Sequence, residues 1–305
     1  MRFMFAYPQY GSEGDMLAAG AVSELAKTAE ASGWHGMAFT DHPAPGAKWL
    51  AQGGHQSLDP FIALGNAAAV TSQLKLHTHL AVGPYRNPLL LAKSAATVDK
   101  LSNGRMILGL GAGYLRKEFN ALGVSFDERN ALMDELLDVL PLHWSGKPFS
   151  YEGMHFSARE LQALPAPVQQ PIPVWIGGNS TRSLRRVAES GCGWIPLIGP
   201  KDLSGVVRTP VISGLTELRE KITRLMTLWQ ENNRSGKPDI LIPFPEAIKA
   251  DSADLSANAT QYRDTLSELS AMGITWVFVP GLGNNPDNSA VVHYLETVGR
   301  QLISA

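Results

Sequence analysis

At 305 residues, 44% hydrophobic and 18% charged, the chain has the balance of a soluble protein with a large core. Lys plus Arg number 26 against 28 Asp plus Glu, which excludes a global pull toward nucleic acid or an anionic membrane surface. The single cysteine, Cys192, excludes an intrachain disulfide and any cysteine-built metal cluster, and in its Gly-Cys-Gly-Trp setting it reads as an inert buried thiol.

The elements follow one another regularly. Arg2 to Tyr7 predicts a strand ended by Pro8, and apolar residues at helix spacing predict a helix from Met16 to Ala31. His35 to Thr40 is the second strand, closing in Asp41-His42, followed by a Gly- and Pro-rich segment to Ser57. Asp59-Pro60 caps and starts the next helix, running to Val70, and Asn87-Pro88 does the same for a helix ending near Leu101. Between them Leu74 to Val82 is the third strand. Arg105 to Leu110 is the fourth, with Gly109, Gly111 and Gly113 at and past its end, where a flat or phosphorylated group can approach the backbone. Glu128 to Trp144 is the fourth helix.

Residues 145–171 break the rhythm with four prolines and a predicted hairpin from Phe149 to Phe156, an insertion across one end of the fold. Strands resume at Ile172 to Ile176 and Trp194 to Ile198, separated by a helix to Glu189. A loose connector from Gly199 leads to a helix at Leu215 to Glu231. Asp239 to Phe244, Ala253 to Met272, Thr275 to Val279 and Ser289 to Ile303 complete the series. Eight strand–helix units imply parallel strands with right-handed crossovers and close a (β/α)₈ TIM barrel, a single domain over 1–305. No leader pattern precedes Pro8 and no stretch is long enough to span a bilayer, so a cytoplasmic protein is expected.

In such a barrel the site lies at the C-terminal ends of the strands. Here those ends carry Tyr7, Asp41-His42, Ala81 to Pro84, Gly111-Ala112-Gly113-Tyr114, Gly177 to Thr181, Pro196, Phe244 and Pro280-Gly281. The set lacks clustered metal ligands and lacks a nucleophile beside a base, while glycine, proline and aromatic residues suit a flat cofactor carrying borrowed redox chemistry. Gly109 to Tyr114 is no dinucleotide fingerprint, because the third glycine is missing and a long helix follows where a second strand should close.

Gly177-Gly178-Asn179-Ser180-Thr181 is the best anion site, with backbone N–H groups at a helix N-terminus; it also reads as an ordinary loop with Asn179 or Ser180 as cap. Of Arg182, Arg185 and Arg186, only Arg182 is expected near enough to help an anion. Asp41-His42 is the best titratable pair: His42 as hydrogen-bond or proton donor over the mouth, with Asp41 orienting it, against the reading of a hydrogen-bonded turn. His77 and His79 read as barrel packing residues. Trp49 and His55 overlook the mouth and face the substrate in this reading.

Several ordered motifs together resemble the bacterial luciferase-like family of flavin- and deazaflavin-dependent oxidoreductases. They are Asp41-His42, Arg86-Asn87-Pro88, Ala96 to Arg105, Leu108 to Tyr114 with Glu118-Phe119, Ala121-Leu122-Gly123, Arg129, Trp175 to Gly178, and Gly193-Trp194. The resemblance covers residues 1–200 by motif and the remainder by barrel periodicity. It implies FMN or coenzyme F420 at the C-terminal mouth, its phosphate at Gly177-Gly178 with Asn179, Ser180 and Thr181 beside it, and its ring against the ends of strands two to four. It further implies a non-prolyl cis peptide near Leu80-Ala81 behind the ring, and a homodimer. Light-emitting members carry Cys-Arg where this chain has Gly111-Ala112, and F420-dependent sugar-phosphate dehydrogenases carry Glu where Tyr114 stands, so both those activities are disfavoured. The implied activity is hydride exchange between the coenzyme and a small organic substrate. An FMNH₂-dependent monooxygenase served by a separate flavin reductase and a non-catalytic flavin-binding protein are the alternatives within the family; a metal-dependent barrel hydrolase is the alternative outside it.

Overall fold

The computed structural model describes residues 1–201, 203–207, 209–244, 252–279, 282 and 285–304; Pro280 and Gly281, expected at a strand end, lie outside them. Among the described residues a closed parallel barrel is formed by β1 (Arg2–Ala6), β2 (Gly36–Phe39), β3 (Lys75–Thr78), β4 (Met106–Gly111), β5 (Val174–Gly177), β6 (Gly193–Ile195), β7 (Asp239–Pro243) and β8 (Trp276–Val279). Each strand pairs in parallel with its chain neighbours, and β1–β8 pairing (Phe3 opposite Val277) closes the ring.

Side-chain alternation divides the apolar residues between two cores. Met4, Ala38, Ile107, Trp175, Ile195, Leu241 and Trp276 fill the barrel interior, while neighbours such as Phe3, Phe5, Met37, Leu76 and Leu108 face the surrounding helices. Gly109 belongs to this packing rather than to a ligand site. A Cβ there would lie 2.1 Å from the Thr78 carbonyl and 2.7 Å from His77 Nε2, so glycine makes room for a buried imidazole.

The principal helices are α1 (Val22–Ala31), α2 (Pro60–Ala68), α3 (Pro88–Leu101), α4 (Arg129–Trp144), α5 (Thr181–Glu189), α6 (Leu215–Glu231), α7 (Ser252–Ala271) and α8 (Asn288–Val298). Asp59 and Asn87 cap α2 and α3 as their sequences predict, accepting from Phe61 N and Leu89 N. The helix expected from Met16 to Ala31 is instead divided: a 3₁₀ turn at Met16–Ala19 ends at Gly20, whose φ of 119° breaks the helix before α1. The third strand is divided too, resuming at Ala81–Val82 after a non-prolyl cis peptide at His79-Leu80, one bond before the expected position.

The insertion forms an antiparallel hairpin of Phe149–Glu152 and Ser157–Leu161. It is fastened to α4 by His155, whose ring contacts Glu135 and Glu128 and whose N–H donates to Glu135 at 3.1 Å. A bridge joins Ile198 to Ile212 across the connector after β6. No helix among the described residues is long and apolar enough to cross a membrane.

Candidate functional site

A cavity of about 600 Å³ opens at the C-terminal mouth of the barrel. Its walls come from the end of β2 (Thr40 to His42), the break in β3 (His79-Leu80), the turn after β4 (Gly111 to Tyr114), the β5–α5 turn (Gly177, Gly178, Ser180) and the connector after β6 (Pro196 to Ile198, Thr209-Pro210).

The floor is apolar and closely fitted. Leu80 sits between two glycines: a Cβ on Gly177 would lie 2.2 Å from Leu80 Cδ1, and one on Gly111 would lie 3.3 Å from it. These glycines let Leu80 fill the base of the cavity. Beside it His79 stacks on Phe278, ring centroids 3.8 Å apart and 15° between planes. Burial pulls the His79 pKa down to about 4, so its ring is neutral near pH 7. Its Nδ1 and both nitrogens of His77 have no hydrogen-bond partner among the described residues.

The end near α5 is polar. Ser180 caps the helix, its Oγ accepting from Ser183 N at 3.1 Å and lying 2.9 Å from Ser183 Oγ. Gly178 has φ of 103°, and a Cβ there would press on Ser183 Oγ at 2.9 Å. Arg186, not Arg182, is the cation of this wall. It is buried, with Nε donating to Asp134 at 2.6 Å and Nη2 to the Asn130 carbonyl at 2.7 Å, whereas Arg182 and Arg185 are exposed.

The opposite end is built around His42. Its Nδ1 lies 3.1 Å from Glu118 Oε2. A carboxylate oxygen accepts, so Nδ1 carries the proton and Nε2 is left with its lone pair while the ring is neutral. Glu118 is wholly buried and also accepts from Tyr85 Oη at 2.9 Å and Ala44 N at 3.1 Å. Burial, then the Glu118 charge, push the Tyr114 hydroxyl up to about 12 and raise Tyr85 as well, so both phenols stay protonated near neutrality.

Asp41 does not orient His42. Its carboxylate holds Arg86 through both oxygens (Nη2 to Oδ1 2.9 Å) and accepts from Val82 N at 2.9 Å. Adjacent residues leaving a strand face opposite ways, which sends Asp41 toward the β3 break and His42 toward the helix Arg116–Ala121.

Of the residues expected at the site, Asp41, His42, His55, Leu80, Gly111, Ala112, Gly113, Tyr114, Gly177, Gly178 and Ser180 line the cavity. Tyr7, Ala81, Asn179, Thr181 and Trp49 do not. Tyr7 donates its hydroxyl to the Gly20 carbonyl at 2.7 Å and packs on Phe39. Ala81 is fully buried, and Thr181 is exposed on the first turn of α5. Asn179 holds the connector, donating to Leu197 and Pro210 carbonyls at 2.7 and 2.8 Å and accepting from Leu197 N at 3.0 Å. Trp49 backs the imidazoles of His42 and His55 at 4.8 and 5.4 Å.

The insertion contributes no lining residue; it lies along α3 and α4. Glu118 as the partner of His42, Tyr85 as the donor to Glu118, and Ser183, Arg186 and Thr209 at the polar end are not among the site residues the sequence predicts. A lone acid in a helix directly after the β4 turn was the available signal for Glu118. Cys192, near the base of the barrel, is held protonated by burial, which raises its pKa to about 11.

Comparison with known proteins agrees with the barrel fold. A family model described as luciferase-like monooxygenase matches residues 3–301. An uncharacterised protein of Mycobacterium tuberculosis is 32% identical over 213 residues, covering 68% of this chain and 70% of the relative. Among solved structures, a monooxygenase from Streptomyces bottropensis superposes with TM-score 0.79 at 18% identity, covering 99% of this chain and 98% of the other. The coenzyme F420-dependent tetrahydromethanopterin reductase of Methanopyrus kandleri superposes with TM-score 0.70 at 18% identity, covering 99% of both chains.

Proposed function

The chain belongs to the luciferase-like monooxygenase family, and from that premise we propose that it is an oxidoreductase exchanging a hydride between a small organic substrate and coenzyme F420 or FMN seated in the barrel mouth. The residues present fit such a group. Leu80 provides an apolar floor between Gly111 and Gly177, and Ser183 and Arg186 supply polar groups at the α5 end suited to an acidic tail. When bound, either coenzyme supplies a ring that accepts or donates a hydride.

The observation that carries this reading is the arrangement of one cavity with a polar cradle at one end and His42, fixed by a buried carboxylate, at the other. Glu118 holds the His42 ring by Nδ1, which leaves Nε2 to take a proton from a substrate hydroxyl or return it to a carbonyl. Tyr85 and the Ala44 amide hold Glu118 in turn. Trp49 packs against both imidazoles.

Titration with FMN and with F420, followed by fluorescence quenching and competition with inorganic phosphate, tests the proposal. Submicromolar affinity for one of them supports it and selects the coenzyme; binding of neither removes it.

A further inference from the structure

His55 is a residue of this mouth whose chemistry the proposed reaction leaves unused. Its Nδ1 lies 2.9 Å from the Gln56 carbonyl oxygen, which can only accept, so Nδ1 carries the hydrogen and Nε2 of the neutral ring is a lone-pair acceptor. Burial, the largest influence, lowers the His55 pKa, which keeps that acceptor in place near neutrality. His42 is fixed in the same tautomer by Glu118. The two rings pack edge to face with centroids 5.1 Å apart, and both line the cavity.

Both rings are held from behind by Trp49. The fit is tight, since a Cβ on Gly54 would lie 2.3 Å from the Trp49 ring; the loop carrying His55 must have glycine there. Charge at this end is already satisfied. Arg86 is bound by Asp41, and the cationic side chains of the cavity wall, Arg129 and Arg186, belong to α4 and α5. An anion beside His42 would meet two lone pairs and the nearby Glu118 carboxylate.

We propose that His42 and His55 form a two-acceptor subsite that reads an uncharged substrate bearing neighbouring hydroxyls, and that rejects carboxylates and phosphate esters at this end of the cavity. The assignment rests on the functional reading above, in which the α5 end receives the acidic tail of the coenzyme. A site built to accept two hydrogen bonds leaves one acceptor unpaired with a mono-alcohol, and discrimination follows from that loss.

The test compares propane-1,2-diol, propan-1-ol and lactate by calorimetry or tryptophan fluorescence on coenzyme-loaded protein. The diol should bind about tenfold more tightly than propan-1-ol, with lactate weakest. In His55→Phe, which keeps a ring against Trp49 and removes the acceptor, the diol advantage should fall to about twofold or less while coenzyme affinity is unchanged. Equal affinity for diol and mono-alcohol in the wild type, stronger binding of lactate, or a full diol preference in His55→Phe would each overturn the subsite. The wild-type ranking decides the matter even if the variant does not fold. Failure of both coenzymes to bind would count against the functional reading alone, and the probe ranking would then be read on the coenzyme-free protein.

Discussion

His42 and Glu118, 76 residues apart in the chain, meet through a 3.1 Å contact between Nδ1 and Oε2 inside the barrel mouth. The contact sets which ring nitrogen faces the cavity, and it assigns the orienting role to an acid on a different element from the adjacent Asp41.

Removing either member should therefore affect turnover without touching coenzyme affinity. His42→Ala and Glu118→Ala are each expected to lower kcat by about 10²–10⁴, the range for a positioned acid–base group. Glu118→Ala should also lose about 1–3 kcal/mol of stability, because the Tyr85 hydroxyl and Ala44 amide lose their acceptor. Steady-state kinetics beside thermal melts would separate the two effects; full turnover in His42→Ala would remove it from the mechanism.

Asp41 should behave in the opposite way. Its ion pair with Arg86 is largely buried, so Asp41→Ala leaves the guanidinium only the longer contact to Asp59 at 3.4 Å and is expected to cost about 3 kcal/mol, read as a lower urea midpoint at constant slope. An unchanged midpoint would show that the pair contributes little.

The glycines of the β5–α5 turn should act through the cavity floor. Gly177→Val places a branched side chain where Leu80 lies, and coenzyme dissociation constants should rise at least about tenfold while the barrel still folds. Gly178→Ala, at φ of 103°, should instead cost about 1 kcal/mol of stability from backbone conformation. Affinity unaltered in Gly177→Val would place the ring elsewhere.

The insertion hairpin should respond to pH. Hydrogen bonds and charge from Glu135 and Glu128 raise the His155 pKa, and partners including His155 lower that of Glu135 despite opposing burial. A raised histidine contributes stability fully below its unfolded value of about 6.5, lost as pH rises through the folded value. A depressed carboxylate contributes above about 4.3, lost as pH falls through its folded value. Hydrogen exchange of residues 149–161 should thus be slowest between about pH 5 and 6.5, beyond the intrinsic pH dependence of exchange, and His155→Gln should flatten the alkaline side.

Much of the architecture follows from local pattern alone. Asp59-Pro60 and Asn87-Pro88 mark helix starts because a side-chain acceptor and a fixed φ act within one turn. Leu215–Glu231 has the bounds its apolar spacing predicts. The glycines at Gly111, Gly113, Gly177 and Gly178 announced a mouth open to a ligand, since backbone freedom is written in the residue itself.

What tertiary structure alone decided is which polar group meets which. Asp41 pairs with Arg86 at a separation of 45 residues and His42 with Glu118 at 76, and no periodicity encodes partners brought together by barrel closure. The same holds for Arg186, turned inward where Arg182 is exposed, because a helix face is chosen by what it packs against. Local propensity acts over a few residues, whereas a buried charge is placed by desolvation, which depends on every element around it.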